Sequence, residues 1–238
     1  MNRFFDIPSD LQHSWLSLIG LHLREALLPV LAGLVAALPI AQLCVRFRWL
    51  YPPVLGVTTV LYAIPSLAFF VVLIDYTGQT ELTVMIPLTV YSLVVLVPAI
   101  VDGVRSVPQE TLDAAAAMGF GPLRRYVQVQ LPIAVPAILA GLRVATVSSI
   151  SLVSVGMLIG NQGALGNLLN DANIYHRPEL AWNSVLTTAV LAILADGLLV
   201  LVRVLLTPWM PRGTGRGRAK SAEARPEPAP PALEEAVR

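Results

Sequence analysis

The chain has 238 residues, 55% of them hydrophobic and only 13% charged, with a mean hydropathy of +0.70. An ordinary soluble domain carries about 25% charged residues, so this composition with repeated long apolar runs indicates an integral membrane protein. A net charge of +1 gives no broad basic surface for nucleic acid, and the one cysteine, Cys44, excludes an intrachain disulfide. His13, His22 and His176 are scattered without metal-ligand spacing, so no metal site is expected and they read as solvated or interfacial.

Residues 1–19 mix Arg3, Asp6 and Asp10 with Phe4, Phe5, Ile7, Trp15 and Leu18. A cleavable signal wants a basic start and a short apolar core; this pattern instead suggests a segment lying at the bilayer surface. Five apolar stretches of spanning length follow, at about 26–45, 53–74, 82–101, 133–159 and 180–206, within a transmembrane region of 20–210. Pro29, Pro39, Pro65, Pro87 and Pro98 fall inside them, which neighbouring helices in a bundle can accommodate. The polar segment 160–180 leaves room for an additional re-entrant turn. Residues 211–238, rich in Pro, Ala and charge, have no apolar face to bury and predict a disordered tail.

Basic residues set the expected orientation. Arg46, Arg48, Arg105, Arg124, Arg125 and six tail cations share one side, against Arg3, Arg24 and Arg177 on the other. The positive-inside rule then places the N-terminus outside, and the loop 104–132 and the C-terminus in the cytoplasm.

That loop is the longest polar interruption of the chain. Ser106-Val107-Pro108-Gln109 has the capping-box pattern, with Ser106 as N-cap and Pro just inside. A short helix follows, with Glu110 and Asp113 near its positive end, four alanines at 114–117, and Gly119 where a left-handed residue ends it. Gly121-Pro122 turns the chain into a second short helix that leads to Pro132 at the mouth of the fourth span. Four alanines leave room for another surface to approach the backbone. On residue chemistry alone the loop reads equally as a lever and as a plain connector.

The spacing Asp113-Ala114-Ala115, three residues, Gly119, nine residues, Val129-Gln130-Leu131-Pro132 resembles the EAA signature of permease subunits of bacterial ABC importers. Asp113 stands where Glu is usual, one methylene shorter with the same charge. The resemblance implies an all-α, type I ABC importer permease-like fold with about five transmembrane helices and a cytoplasmic coupling helix, in the bacterial plasma membrane. It implies that Glu110, Asp113, Ala114, Ala115, Gly119, Leu131 and Pro132 form the element that docks on a cytoplasmic ABC ATPase subunit. IPSLAFF in the second span, GALGNLL after the fourth and LAILADGLLVLV in the fifth resemble the branch importing glycine betaine, choline, carnitine or proline betaine. An amino acid or another small polar solute is the alternative substrate, and no fused binding domain is expected in the tail from Arg212.

No GxxxxGK[ST] occurs in the chain, so no catalysis or bound cofactor is expected of it. ATP and Mg are assigned to the partner ATPase. Five spans are few to enclose a pathway, so a second permease subunit, identical or paralogous, is expected, with an extracytoplasmic solute-binding protein delivering solute. A membrane-anchor subunit of an enzyme complex is the rival of another class; it predicts histidine pairs in the spans, and none occurs. The matched spacing argues against a standalone channel.

Within the spans, Arg143 and Asp196 fall at similar depth, which supports either a pair or two groups facing a water-filled vestibule. Ser148, Ser151 and Ser154 recur every three residues and favour a close-packed helix interface over a lined path. Tyr62, Tyr91 and Trp182 read as anchors or packing rather than as a substrate site, so no solute-binding residue is assigned.

Overall fold

Why the first helix is so long follows from its residues: apart from Pro29 and Pro39, nothing from Trp15 to Arg46 breaks it. In the computed structural model, which describes residues 15–159 and 164–208 with Met157 as backbone only, α1 spans Trp15–Arg46. At 1.5 Å per residue its 32 residues reach about 48 Å, well beyond a hydrocarbon core of about 30 Å. Trp15 to Ile19 therefore belong to this helix rather than to a separate surface segment. Leu18 is buried with Leu165 and Leu168, and Trp15 and Ile19 pack on the same cluster. The remaining N-terminal residues, 1–14, and the tail 211–238 lie outside the described residues.

The expected second span is broken. Helix α2 (Tyr51–Ala63) and helix α3 (Ser66–Thr77) meet at an angle of 90° across Ile64-Pro65. Proline offers no amide to continue the ladder and holds the preceding residue extended; Ile64 sits at φ −69°, ψ 122°. The pair still travels the length of its neighbour α4 (Glu81–Arg105). Tyr51 Oη donates to Asp102 near one end of α4, Tyr91 Oη donates to the Ile64 carbonyl (2.8 Å) midway, and Thr77 meets Thr83 at the other end. It is thus one broken crossing, and with four long apolar helices it makes five crossings.

Helix α5 (Gln109–Ala117) and the short helix α6 (Pro122–Arg125) form the loop, and α7 (Leu131–Val153) crosses back. A 3₁₀ stretch, Ser154–Ile159, follows; α8 (Asn167–Ile174) lies at the end opposite the loop, and α9 (Pro178–Leu206) makes the last crossing. Gly166 lets the chain turn against the 3₁₀ stretch, since a Cβ there would sit 2.6 Å from the Ser154 carbonyl oxygen. Ser184 Oγ donates to the Leu165 carbonyl (2.7 Å) and ties this segment to α9.

Small residues bring the crossings together. A Cβ on Gly33 would lie 2.7 Å from Ser92 Cβ, and one on Gly141 2.6 Å from Ala99 Cβ, so α1 and α7 each approach α4 closely, as membrane helices do where hydrophobic driving force is absent. The main core lies between these three helices, around Ala37, Ala41, Leu96, Ile100 and Ala134. His22 is buried between α1 and α7 rather than interfacial: its Nε2–H donates to the Ile150 carbonyl at 2.9 Å. A polar group at that depth needs an internal partner, which α7 supplies.

Candidate functional site

The loop between α4 and α7 is ordered by its ends. Ser106 does not cap α5: its Oγ donates back to the Gly103 carbonyl (2.8 Å), and Pro108, at φ −58°, ψ 139°, occupies the N-cap position. The proline holds Val107 away from helical geometry, so the helix starts two residues later than a capping box on Ser106 requires. Val107 is buried and anchors the connection.

At the other end the alanine run closes in a Schellman motif. Gly119 has φ +81°, the Gly119 amide donates to the Ala116 carbonyl (2.9 Å), and the Phe120 amide to the Ala115 carbonyl (3.0 Å). Glu110 stands exposed in the first turn, and Gln109 Nε2 donates to Asp113 Oδ1 at 2.9 Å, one turn on. The alanines are not equivalent. Ala115 is buried, whereas Ala114, Ala116 and Ala117 are exposed. The face presented outward therefore consists of Glu110, Asp113, Ala114 and the exposed Met118, with Leu123 exposed just beyond the turn. The Arg124 guanidinium stacks over Phe120, 4.2 Å from the ring centroid, and its Nε donates to Gln128 Oε1 (2.8 Å).

The second short helix is not separate from the fourth span. Helix α6 runs through a π-helical turn, Tyr126–Gln130, straight into α7. Pro132 is the cause: its ring cannot accept the normal approach of the Gln128 carbonyl. The ladder widens instead, and the Leu131 amide reaches back to the Tyr126 carbonyl. Tyr126 is buried in the main core with Leu131 against it. The turn at 118–121 is thereby continuous with α7 through an unbroken helix.

Deeper in the membrane, Arg143 of α7 and Asp196 of α9 stand together: Arg143 Nε to Asp196 Oδ1 at 2.6 Å and Arg143 Nη2 to Oδ2 at 2.7 Å. The serine spacing is divided. Ser148 and Ser151 are exposed and line a cavity rather than a packed interface. Close packing falls to Ser149, which the three-residue spacing passes over; its Oγ donates to the Ala26 carbonyl of α1 at 2.8 Å. Tyr62 and Tyr91 line the same cavity, while Trp182 is exposed on α9. Only the break at Pro65 could have hinted at that cavity in the sequence.

Five crossings, with an exposed helix between two of them, define a polytopic transport subunit of the type I ABC importer permease fold. The chain belongs to the family of binding-protein-dependent transport system inner membrane components, whose pattern matches residues 29–211. It is 30% identical over 203 residues to the choline transport system permease protein OpuBD of Bacillus subtilis (strain 168), covering 85% of this chain and 90% of that one. It is 32% identical to the osmoprotectant import permease protein OsmW of Salmonella typhimurium (strain LT2), over 81% of this chain and 91% of that one. Among solved structures, a chain of the MetNI methionine ABC transporter superposes with a TM-score of 0.68 at 18% identity, covering 78% of this chain and 93% of that one. That likeness carries the fold alone.

Proposed function

We propose that this chain is the membrane-crossing subunit of an ATP-driven importer of quaternary-amine compatible solutes such as glycine betaine, choline, carnitine or proline betaine. The observation that carries the coupling role is the loop: the spacing starts at Asp113 on an exposed nine-residue helix, turns at Gly119, and reaches Pro132 through α6, which joins α7 without a break. The outward face of Glu110, Asp113, Ala114 and Met118 docks on a cytoplasmic ATPase subunit. Closure of two such ATPases around ATP moves α5, and α7 rocks with it in an alternating-access cycle. The basic residues at the loop end support an N-terminus outside and a C-terminus in the cytoplasm. A second permease subunit completes the pathway, and a solute-binding protein outside supplies the solute. Relatives named for choline and osmoprotectant transport, matched over four-fifths of the chain, support the substrate class.

Two experiments test separate parts. The solute-binding protein that partners the chain should bind at least one quaternary amine in calorimetry; binding only of amino acids would replace the substrate class and leave the coupling role intact. For docking, a cysteine at Ala114 should form a disulfide with one in the cleft of the ATPase within an assembled, active complex, and absence of any crosslink refutes it. Ala115, being buried, is the wrong site for that probe.

A further inference from the structure

A cavity of about 550 Å³ opens where the broken crossing meets α4 and α7. Tyr62 and Pro65 line it from the break, Tyr91 and Ser92 from α4, and Ser148 and Ser151 from α7. Its size falls within the range of small-molecule sites. Apart from the two tyrosines no ionisable side chain among the described residues lines it, so they offer neither a counter-charge for a compact ammonium nor carboxylates for a metal ion.

Its position sets it apart from an interfacial anchor. Tyr62 is the twelfth residue of α2, about 17 Å along the helix from its start. That is near the middle of a hydrocarbon core of about 30 Å, far from the headgroup depth where tyrosines anchor. Tyr62 is nevertheless 65% exposed. Tyr91 is held from two sides, by its hydrogen bond to the Ile64 carbonyl (2.8 Å) and by the edge of Phe69 with centroids 6.0 Å apart. The same break turns the C-terminal end of α2 toward the cavity, since Tyr62, Ala63 and Ile64 all line it. Terminal carbonyls of a helix carry partial negative charge and lack intrahelical donors.

We propose that this cavity is a transient site for the trimethylammonium head of the solute during passage, with the faces of Tyr62 and Tyr91 as its contacts. A methylated cation has no N–H to satisfy and spreads its charge over its methyl surface, so ring faces and a helix C-terminus suit it. The inference rests on the quaternary-amine reading above.

The test uses the complete transporter, with its ATPase and solute-binding protein, in proteoliposomes loaded with ATP. Wild-type vesicles that take up neither labelled glycine betaine nor choline overturn the quaternary-amine reading itself. Given wild-type uptake, Tyr62→Leu should lower the maximal rate about tenfold and Tyr62→Phe by no more than about twofold, because the ring face and not the hydroxyl carries the contact. Unchanged uptake in Tyr62→Leu, or equal loss in both variants, overturns the cavity site alone. A second measurement is independent of assembly defects in Tyr62: a cysteine at Ser148 should be alkylated more slowly in the presence of tetramethylammonium than of sodium. Equal rates overturn the proposal.

Discussion

Arg143 and Asp196, 53 residues apart in the chain, meet as a two-pronged ion pair at 2.6 and 2.7 Å. The planar guanidinium matches both carboxylate oxygens, and at bilayer depth neither charge has water as a ready substitute. The pair joins α7 to α9, two crossings that also pack on one another. Arg143→Asp should abolish solute uptake, and the double exchange Arg143→Asp with Asp196→Arg should restore a substantial part of it. Membrane insertion of both variants is checked by immunoblot of the membrane fraction. No recovery in the double variant would show that each charge has its own task.

Close approach of α4 and α7 depends on Gly141. A methyl there would sit 2.6 Å from Ala99 Cβ, so Gly141→Ala should separate the two helices and cost about 1–3 kcal/mol. Gly197 on α9 meets nothing within 4 Å; alanine there should be neutral or slightly stabilising, because glycine is the poorer helix former. Thermal unfolding of the purified complex should show a lowered midpoint for the first variant only.

At the loop, Gly119 has open space around it but φ +81°, so the cost of a side chain there is conformational. Gly119→Ala should weaken the Schellman closure by about 1 kcal/mol and loosen the turn that joins α5 to α7. Uptake should fall while the ATPase rate rises relative to transport, the signature of slack coupling; an unchanged ratio of solute moved to ATP hydrolysed would count against the lever.

Much of this was legible in one dimension because the bilayer imposes strong rules. Apolar runs of about 20 residues announce crossings whatever their partners, and the glycine after Ala114–Ala117 announces a helix end because only a residue without Cβ adopts that φ freely. Arg143 and Asp196 were legible as a candidate pair because isolated charges at one depth need partners. Partner-dependent properties were not legible. His22 looks like an interfacial residue until the Ile150 carbonyl is seen opposite it, and Ala115 looks like its exposed neighbours until the fold buries it.

The sequence by itself determined the number of crossings, the location of the loop and the residue spacing that marks the family, since each follows from local hydropathy, backbone propensity or motif. Tertiary structure decided which serine packs and which lines a cavity, and that the π turn before Pro132 welds the loop to α7. It also decided that Pro65 bends its crossing by 90° and opens a space beside Tyr62 and Tyr91. Periodicity says which residues share a helix face, but only the packing of α1, α4, α7 and α9 says what that face meets.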